Sequence, residues 1–292
     1  MVVGQQIING LLLGGVLTLV ALGFSLVWGI MNIINLAHGS FVMLGAYMTF
    51  WMFNLFGIDP FLSIPISMAI LFVIGYGLQI GLINWVVRAP VLITLLLTFG
   101  LDLVIINISL LLWSANTRSV NPSYFGKSIE IGSMVIPYVQ LAVLVLALII
   151  TALLALLLSR TRTGQSIRAV GYDYTGAKVI GISIARTYAL TFGIGAALAG
   201  AAGALLVIIR PVTPSIGPEY TVLAFAVCVL GGLGNVSGAL VGGLIFGMVE
   251  VFVSAYIGAG YSEAFVFALL IVVLVIRPQG ILGREYSSGV EE

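Results

Sequence analysis

The chain has 292 residues, of which 61% are hydrophobic and 7% charged, and its mean hydropathy is +1.24; a soluble domain carries roughly 25% charged residues. That balance excludes a sizeable soluble domain, and a formal net charge of +1 supplies no basic surface for nucleic acid. One cysteine, Cys228, excludes an intrachain disulfide framework.

Apolar runs of about 18 or more residues recur along the chain, each long enough to cross a hydrocarbon core about 30 Å thick. The sequence therefore predicts an all-α, polytopic transmembrane bundle of about eight to ten segments, forming one domain over residues 1–292. Met1 to Trp28 lacks a basic n-region and a small-residue cleavage site, so it reads as retained membrane helix. Its span, Gln5 to Trp28, carries Gly10, Gly14, Gly15 and Gly23, which allow helix backbones to approach closely. A polar-spotted connection, Gly29 to Gly39, leads to a second span over Ser40–Phe56, closed by the turn signal Gly57-Ile58-Asp59-Pro60. The third span covers Phe61–Val87 and stops at Arg88-Ala89-Pro90. The fourth, Val91–Trp113, contains the more polar Thr98 to Asp102. Ser114 to Ser133 reads as the longest external loop, and Met134–Leu158 as the fifth span.

Ser159 to Arg186 is the one strongly basic stretch, with Arg160, Arg162, Arg168, Lys178 and Arg186 against the single acid Asp173. After it come a sixth span rich in small residues, Thr187–Ile209, and the loop Arg210 to Pro218. Glu219–Ile257 is too long for one crossing and is interrupted by Gly231-Gly232-Leu233-Gly234-Asn235, which predicts two helices joined by a glycine turn. Glu263–Ile276 is the last crossing. Short Lys/Arg-rich loops stay in the cytoplasm, and five segments before the basic stretch with four after it put the N-terminus outside and the C-terminus inside. Arg88, Arg277 and Arg284 then join the basic stretch inside, while Arg118, Lys127 and Arg210 lie outside. The two flanks would enter the membrane with opposite orientation, as inverted repeats do, although they share only their glycine-rich character.

Within the basic stretch Ile167, Val170, Tyr174 and Ala177 recur at i, i+3, i+7 and i+10, which predicts one apolar stripe on a short, broken helix. Thr163 or Ser166 is the expected cap, and Gly171 and Gly181 the expected interruption and end. The segment reads either as a solvated loop held inside by its charge or as a surface helix that docks in a partner's groove.

Few residues offer chemistry. His38 is the only histidine and reads as a hydrogen-bonded structural residue or as a ligand or proton carrier; no second ligand at metal spacing accompanies it. An unpaired carboxylate at the centre of a span costs about 2.5–3.5 kcal/mol on insertion scales, so Asp102 must face protein or water. It is either a buried acid satisfied by Thr98, Asn107 or another helix, or a pathway or gating residue. Glu219 and Glu250 are further membrane-adjacent acids and pathway candidates, with Glu219 interfacial in the simpler reading. Gly39, Gly231, Gly232, Gly234 and Gly238 provide turns and close contacts. The chain contains no GxxxxGK[ST] phosphate loop and no nucleophile–base–acid constellation; any ATP-driven step needs another chain.

Four stretches taken together carry a resemblance: NIINLAHGSFVMLGAY (Asn32 to Tyr47), TGQSIRAVGYDYTGAKVIGI (Thr163 to Ile182), TPSIGPEYTVLAFAVCVLGGLGNVSGALVGG (Thr213 to Gly243) and RPQGILG (Arg277 to Gly283). Over nearly its whole length the chain resembles the permease subunit of bacterial branched-chain (hydrophobic) amino-acid ABC importers. That resemblance implies a multi-pass protein of the bacterial inner membrane, N-terminus periplasmic and C-terminus cytoplasmic, which is not itself an enzyme and binds no cofactor. The implied partners are a second, related permease, two cytoplasmic ATPases holding ATP and Mg, a periplasmic substrate-binding protein and membrane lipid, with no nucleic acid. It also implies that residues 159–186 are the coupling loop, contacting an ATPase through Thr163, Gly164, Ile167, Arg168, Ala169, Val170 and Tyr174. Asp102 departs from the family pattern, where a small polar residue is more usual. An importer of urea, another small amide or a sugar is the near alternative; an ion-coupled secondary transporter using Asp102 and Glu250 is the distant one.

Overall fold

A computed structural model of the chain describes residues 2–132 and 134–283. Met1, Ser133 and Arg284, named above as a helix start, a loop end and an internal charge, lie outside the described residues. In chain order the elements are α1 (Val2–Met31), α2 (His38–Phe56), α3 (Pro60–Gly81), α4 (Val91–Trp113), β1 (Ser128–Ile131), β2 (Met134–Pro137), α5 (Tyr138–Arg160), α6 (Arg162–Tyr172), α7 (Tyr174–Val179), α8 (Ile184–Ile209), α9 (Gly217–Gly231), α10 (Val236–Tyr256) and α11 (Ser262–Ile276). Among the described residues nine helical segments are long and apolar enough to cross a membrane: α1 to α5, α8 and α10, and α9 and α11 with the short 3-10 turns that lead into them.

Two boundaries differ from expectation. The third span ends as an α-helix at Gly81 and continues as a 3-10 turn over Ile83–Trp85. The fifth begins at Tyr138, because Met134–Pro137 folds back on Ser128–Ile131 as an antiparallel hairpin, Ile129 opposite Ile136. Gly132, at φ +64°, allows the tight two-residue turn. Gln5 of α1 clamps this hairpin, its Oε1 accepting from the Val135 N–H at 2.9 Å and its Nε2 donating to the Val135 carbonyl at 2.8 Å. Nearby, Asp59 caps α3 by accepting from the Phe61 N–H at 2.9 Å and takes a 3.2 Å hydrogen bond from the Tyr124 hydroxyl. Burial, then that hydrogen bond and the charge of Asp59, push the Tyr124 phenol above its ordinary value.

Helices α1 and α8 form the centre: 89% of the most apolar stretch of each is buried, against 17% in α4 and 11% in α11, which lie at the periphery. The two central helices meet at Gly23 and Gly195, where a side chain on Gly23 would strike the Gly195 carbonyl and one on Gly195 would strike Val27 of α1. On one flank α10 packs antiparallel on α1, Gly10 against Met248 and Gly14 against Leu244. On the other α3 packs antiparallel on α8, Gly75 against Ala196 and Gly200 against Leu71. Helix α1 takes α10 as α8 takes α3, while α2 and α9 meet between them at Gly39 and Gly217. That exchange is the arrangement of an inverted repeat, α1–α2–α3 answering α8–α9–α10; it resides in contacts that glycine content alone only hinted at.

The charges separate by end. Arg88 hydrogen-bonds to the Tyr174 hydroxyl and lies 5.2 Å from that ring's centroid, which places it beside α7. Gly171 rests on Gly29 and Ile30, Gly234 on Gly29, and Asn235 Nδ2 donates to the Leu282 carbonyl at 2.8 Å. The basic segment, the glycine turn and the chain through Leu282 thus share one end. Arg118 lies at the other, bonded through its backbone to Val212 at 2.8 and 2.7 Å in the segment that Arg210 begins.

Candidate functional site

Residues 32–37 separate α1 from α2, and they do not stay at the end of α1. His38, the first residue of α2, places Nε2 2.8 Å from the Val20 carbonyl, eleven residues back from Met31, which is about 16 Å at ~1.5 Å per residue. The linker therefore climbs back beside α1, and α2 starts deep inside the bundle. Because a carbonyl only accepts, Nε2 carries the hydrogen, and Phe24 covers the ring edge-on at 5.6 Å. His38 is a hydrogen-bonded anchor here. The described residues include no group of three His, Cys, Asp or Glu able to hold a metal ion.

Irregular backbone at this depth must satisfy its polar groups within the protein, and it draws on two neighbouring helices and one side chain of its own. The Leu36 N–H donates to Thr98 Oγ1 of α4 at 3.2 Å, and Thr98 Oγ1 also lies 3.0 Å from the Ile34 carbonyl. Thr221 Oγ1 of α9 accepts from the Gly39 N–H at 2.8 Å and lies 3.0 Å from the Leu36 carbonyl. Asn35 Oδ1 accepts from the Ala37 N–H at 3.2 Å. Asn32 takes a left-handed conformation, φ +52°, to start the return.

Asp102 closes this junction. It stands one turn from Thr98 on the same face of α4 and accepts a 2.5 Å hydrogen bond from Ser40 Oγ in the first turn of α2. A carboxylate there also faces the partial positive charge of a helix N-terminus. Of the partners expected for it, Thr98 serves the linker instead, and Asn107 donates to the Leu103 carbonyl of its own helix at 2.7 Å from an exposed position. Another helix, α2, supplies the partner. Sequence reasoning missed Ser40 and Thr221. Each is a hydroxyl in the first turn or two of a helix that follows a polar interruption, and that position was the available signal.

The interruption before α9 mirrors this one. The chain leaves α8 at Ile209, passes a 3-10 turn over Pro214–Ile216 and starts α9 at Gly217, against Gly39 and Ser40. Two helices thus begin inside the bundle with their N-termini in contact. A Cβ on Gly39 would collide with the Gly217 carbonyl oxygen and come within 2.7 Å of Thr221 Oγ1. At the far end of α9, Gly232 and Gly234, at φ +109° and +76°, make the turn into α10, Gly231 packs on Gly238, and Asn235 caps α10 by accepting from the Ser237 and Gly238 N–H groups at 3.0 and 3.3 Å.

Glu219 and Glu250 lie away from this junction. They line one cavity between α1, α9, α10 and α11 together with Arg210 and Glu263, which sequence reasoning did not single out as site residues. Arg210 Nη2 stands 3.8 Å from Glu250 Oε1.

The basic segment forms two helices, α6 and α7. Thr161, not Thr163 or Ser166, caps α6, accepting from the Gly164 N–H at 3.0 Å, and Asp173 caps α7, accepting from the Thr175 N–H at 2.9 Å. The break falls at Asp173. Gly171 lies within α6, where it allows contact with α1, and Gly181 follows α7 at φ +85° as expected. The apolar stripe is turned inward: Ile167, Val170 and Ala177 are 0%, 3% and 3% exposed within this chain alone, and Gly164 packs on Leu157. Ile167 and Val170 are therefore not a free contact surface, because burying them on their own bundle already removes their apolar area from water. Ala169 and Tyr174 are half-buried, while Thr163 and Arg168 are exposed. The apolar residues this end presents outward are Tyr172, Val179 and Ile180, at 69%, 82% and 74% exposure.

Over residues 6–274 the chain matches the family described as branched-chain amino acid transport system / permease component. It is 34% identical to the high-affinity branched-chain amino acid transport system permease protein BraD of Pseudomonas aeruginosa, over 96% of this chain and 95% of the relative. Its identity to the permease protein LivH of Escherichia coli, of the same description, is also 34%, over 96% and 95%. A shorter match, 30% identical over 62% of this chain and 57% of the relative, is to the galactose/methyl galactoside import permease protein MglC of Haemophilus influenzae. No solved structure matches the chain.

Proposed function

The chain belongs to the permease-component family of branched-chain amino acid transport systems, and from this premise we propose that it is one permease of an ATP-driven importer for branched-chain amino acids in a bacterial inner membrane. The observation that carries the reading is the end-to-end correspondence with relatives named for that transport; the match to the galactoside permease spans little more than half of that relative.

In this reading ATP is hydrolysed on separate subunits, since the chain has no phosphate loop. The basic end, with Arg162, Arg168 and Lys178 around Tyr172, Val179 and Ile180, faces the cytoplasm and receives the ATPases, and the end with Arg118 and Arg210 faces the periplasm and a substrate-delivering protein. A second, related permease completes the pathway. Apolar side chains held out on a charged surface gain roughly 25 cal/mol per Å² when a partner covers them, which favours the outward tip over the buried stripe as the docking point. Helix α6 transmits motion inward through Ile167 and Val170, which are packed in the bundle. Asp102 and Ser40 tie the broken start of α2 to α4, so displacement of either helix carries the other. Asp102 is 4% exposed and held by Ser40, which favours this role over proton coupling, which needs an acid open to water.

The test is uptake of labelled leucine and, separately, galactose by proteoliposomes holding the permease with its copurified partners, with and without ATP inside. Leucine uptake that requires ATP supports the reading. Galactose uptake in its place replaces the cargo, and leucine uptake driven by a proton gradient without ATP replaces the mechanism.

A further inference from the structure

We propose that the cavity between α1, α9, α10 and α11 binds the free amino acid as a zwitterion, serving as a station on the transport route; this rests on the transport reading above and gives the cargo a place. The charged groups come first. Arg210, at the end of α8, is about half exposed, stands 3.8 Å from Glu250 and hydrogen-bonds the Tyr220 hydroxyl; with five N–H donors, its guanidinium has others left for the cavity. A guanidinium fork matches a carboxylate with two parallel hydrogen bonds. Glu219, Glu250 and Glu263 line the same cavity from three helices, and Arg210 is the one basic residue in the lining among the described residues. A structural ion pair needs one acid for Arg210. The other two carboxylates repel each other and the pair, and an ammonium group placed among them relieves that repulsion.

The shape agrees with the charges. The outer chamber has a volume of ≈ 440 Å³, inside the roughly 300–1,000 Å³ range of small-ligand sites. Leu13, Val251, Ala255 and Ala259 give that chamber an apolar wall for a branched aliphatic side chain, and a narrower recess of ≈ 50 Å³ beneath it, lined by Leu17, Leu223 and Phe246, carries Glu219. The carboxylates are spread around the rim rather than converging as metal ligands would, since the described residues contain no three-membered ligating group. A carboxylate facing Arg210, an ammonium beside Glu250 and Glu263 and an aliphatic chain on the apolar wall are the three parts of one branched-chain amino acid.

The measurement is equilibrium dialysis of tritiated L-leucine against the permease complex in phosphatidylglycerol nanodiscs, without ATP or delivery protein, run alongside uptake in proteoliposomes. Two variants are compared with the wild type. Glu219→Gln/Glu263→Gln changes exposed side chains and leaves packing intact, and Arg210→Lys keeps the charge beside Glu250 but removes the fork. Each is expected to weaken leucine binding by about tenfold or more, with a matching rise in uptake KM. Neither 4-methylpentanoate nor isoamylamine, which carry one charge each, should displace leucine as well as valine does. Wild-type complex that imports leucine but retains none in dialysis, or variants indistinguishable from it, overturns the site and leaves the transport reading standing. Complex that neither binds nor imports leucine overturns both. Leucine binding that disappears when phosphatidylethanolamine replaces phosphatidylglycerol assigns the cavity to a lipid headgroup and overturns the site.

Discussion

Replacing Gly39 by alanine adds one methyl group where α2 and α9 begin, and the structure sets its cost. The new Cβ would lie 2.7 Å from both the Gly217 carbonyl carbon and Thr221 Oγ1, and nearer still to the Gly217 carbonyl oxygen. Two of these three atoms are backbone, so no rotamer change relieves the overlap and the helices must separate by roughly 1 Å, an overpacking cost of about 1–3 kcal/mol. Separation also stretches the hydrogen bonds of Thr221 to the Gly39 N–H and the Leu36 carbonyl, now 2.8 and 3.0 Å. Leaving a buried polar group unsatisfied costs about 1–3 kcal/mol. The sum, roughly 2–6 kcal/mol, exceeds the ~1 kcal/mol by which alanine is the better helix former. Gly77, also helical, has nothing within 4 Å of its added Cβ, so Gly77→Ala should be neutral or mildly stabilising. With about 2–4 °C per kcal/mol, Gly39→Ala should lower the apparent midpoint of a detergent-purified complex, followed by its monodisperse peak after heating, by on the order of 10 °C. Membrane proteins unfold irreversibly in such assays, so the ranking carries the result. A Gly39→Ala complex as heat-resistant as the wild type would refute the reasoning that the two interrupted helices are locked backbone to backbone.

Asp102→Asn should keep assembly and most ATP-driven uptake, because the amide still accepts from Ser40 Oγ, whereas Asp102→Leu should lose both; abolished uptake in Asp102→Asn together with loss of proton-gradient dependence would favour an ion-coupled carrier. In a Cys228→Ser background, cysteines at Ser123 and Thr175, both exposed, should differ toward an impermeant thiol reagent on intact cells, with Ser123→Cys labelled and Thr175→Cys protected; the reverse pattern overturns the assigned orientation. Val179→Glu or Ile180→Glu should leave the permease folded and inserted but uncouple ATP hydrolysis from uptake, while Val170→Glu, which buries an unpaired carboxylate at several kcal/mol, should reduce the folded amount itself. Wild-type uptake in the Val179→Glu/Ile180→Glu double variant would remove this tip as the docking point.

The number of crossings, their approximate limits and the polar breaks between them were legible in the sequence, because burial in hydrocarbon demands long apolar runs and punishes charge wherever it is not covered. Gly231 to Asn235 announced a turn for the same local reason: Gly232 and Gly234 take conformations that other residues avoid. The hairpin at Ser128–Pro137 was less visible, since four-residue strands resemble the edge of a polar loop followed by an apolar helix. The direction of the Ile167–Val170 stripe was not legible at all. Periodicity places residues on one face of a helix but does not say whether that face meets a partner or its own bundle, and only the seating of α6 on α1, α5 and α8 turned it inward. Asp102 was recognisable as an acid that needed a partner, because the cost of burying its charge is a property of the residue and its span. Its partner, Ser40, lies 62 positions away, and the sites of Thr221, Arg210 and Glu263 depend equally on which helices meet. Local chemistry set what each residue requires, and the re-entry of two interrupted helices into one bundle, a matter of long-range packing, decided which residues meet it.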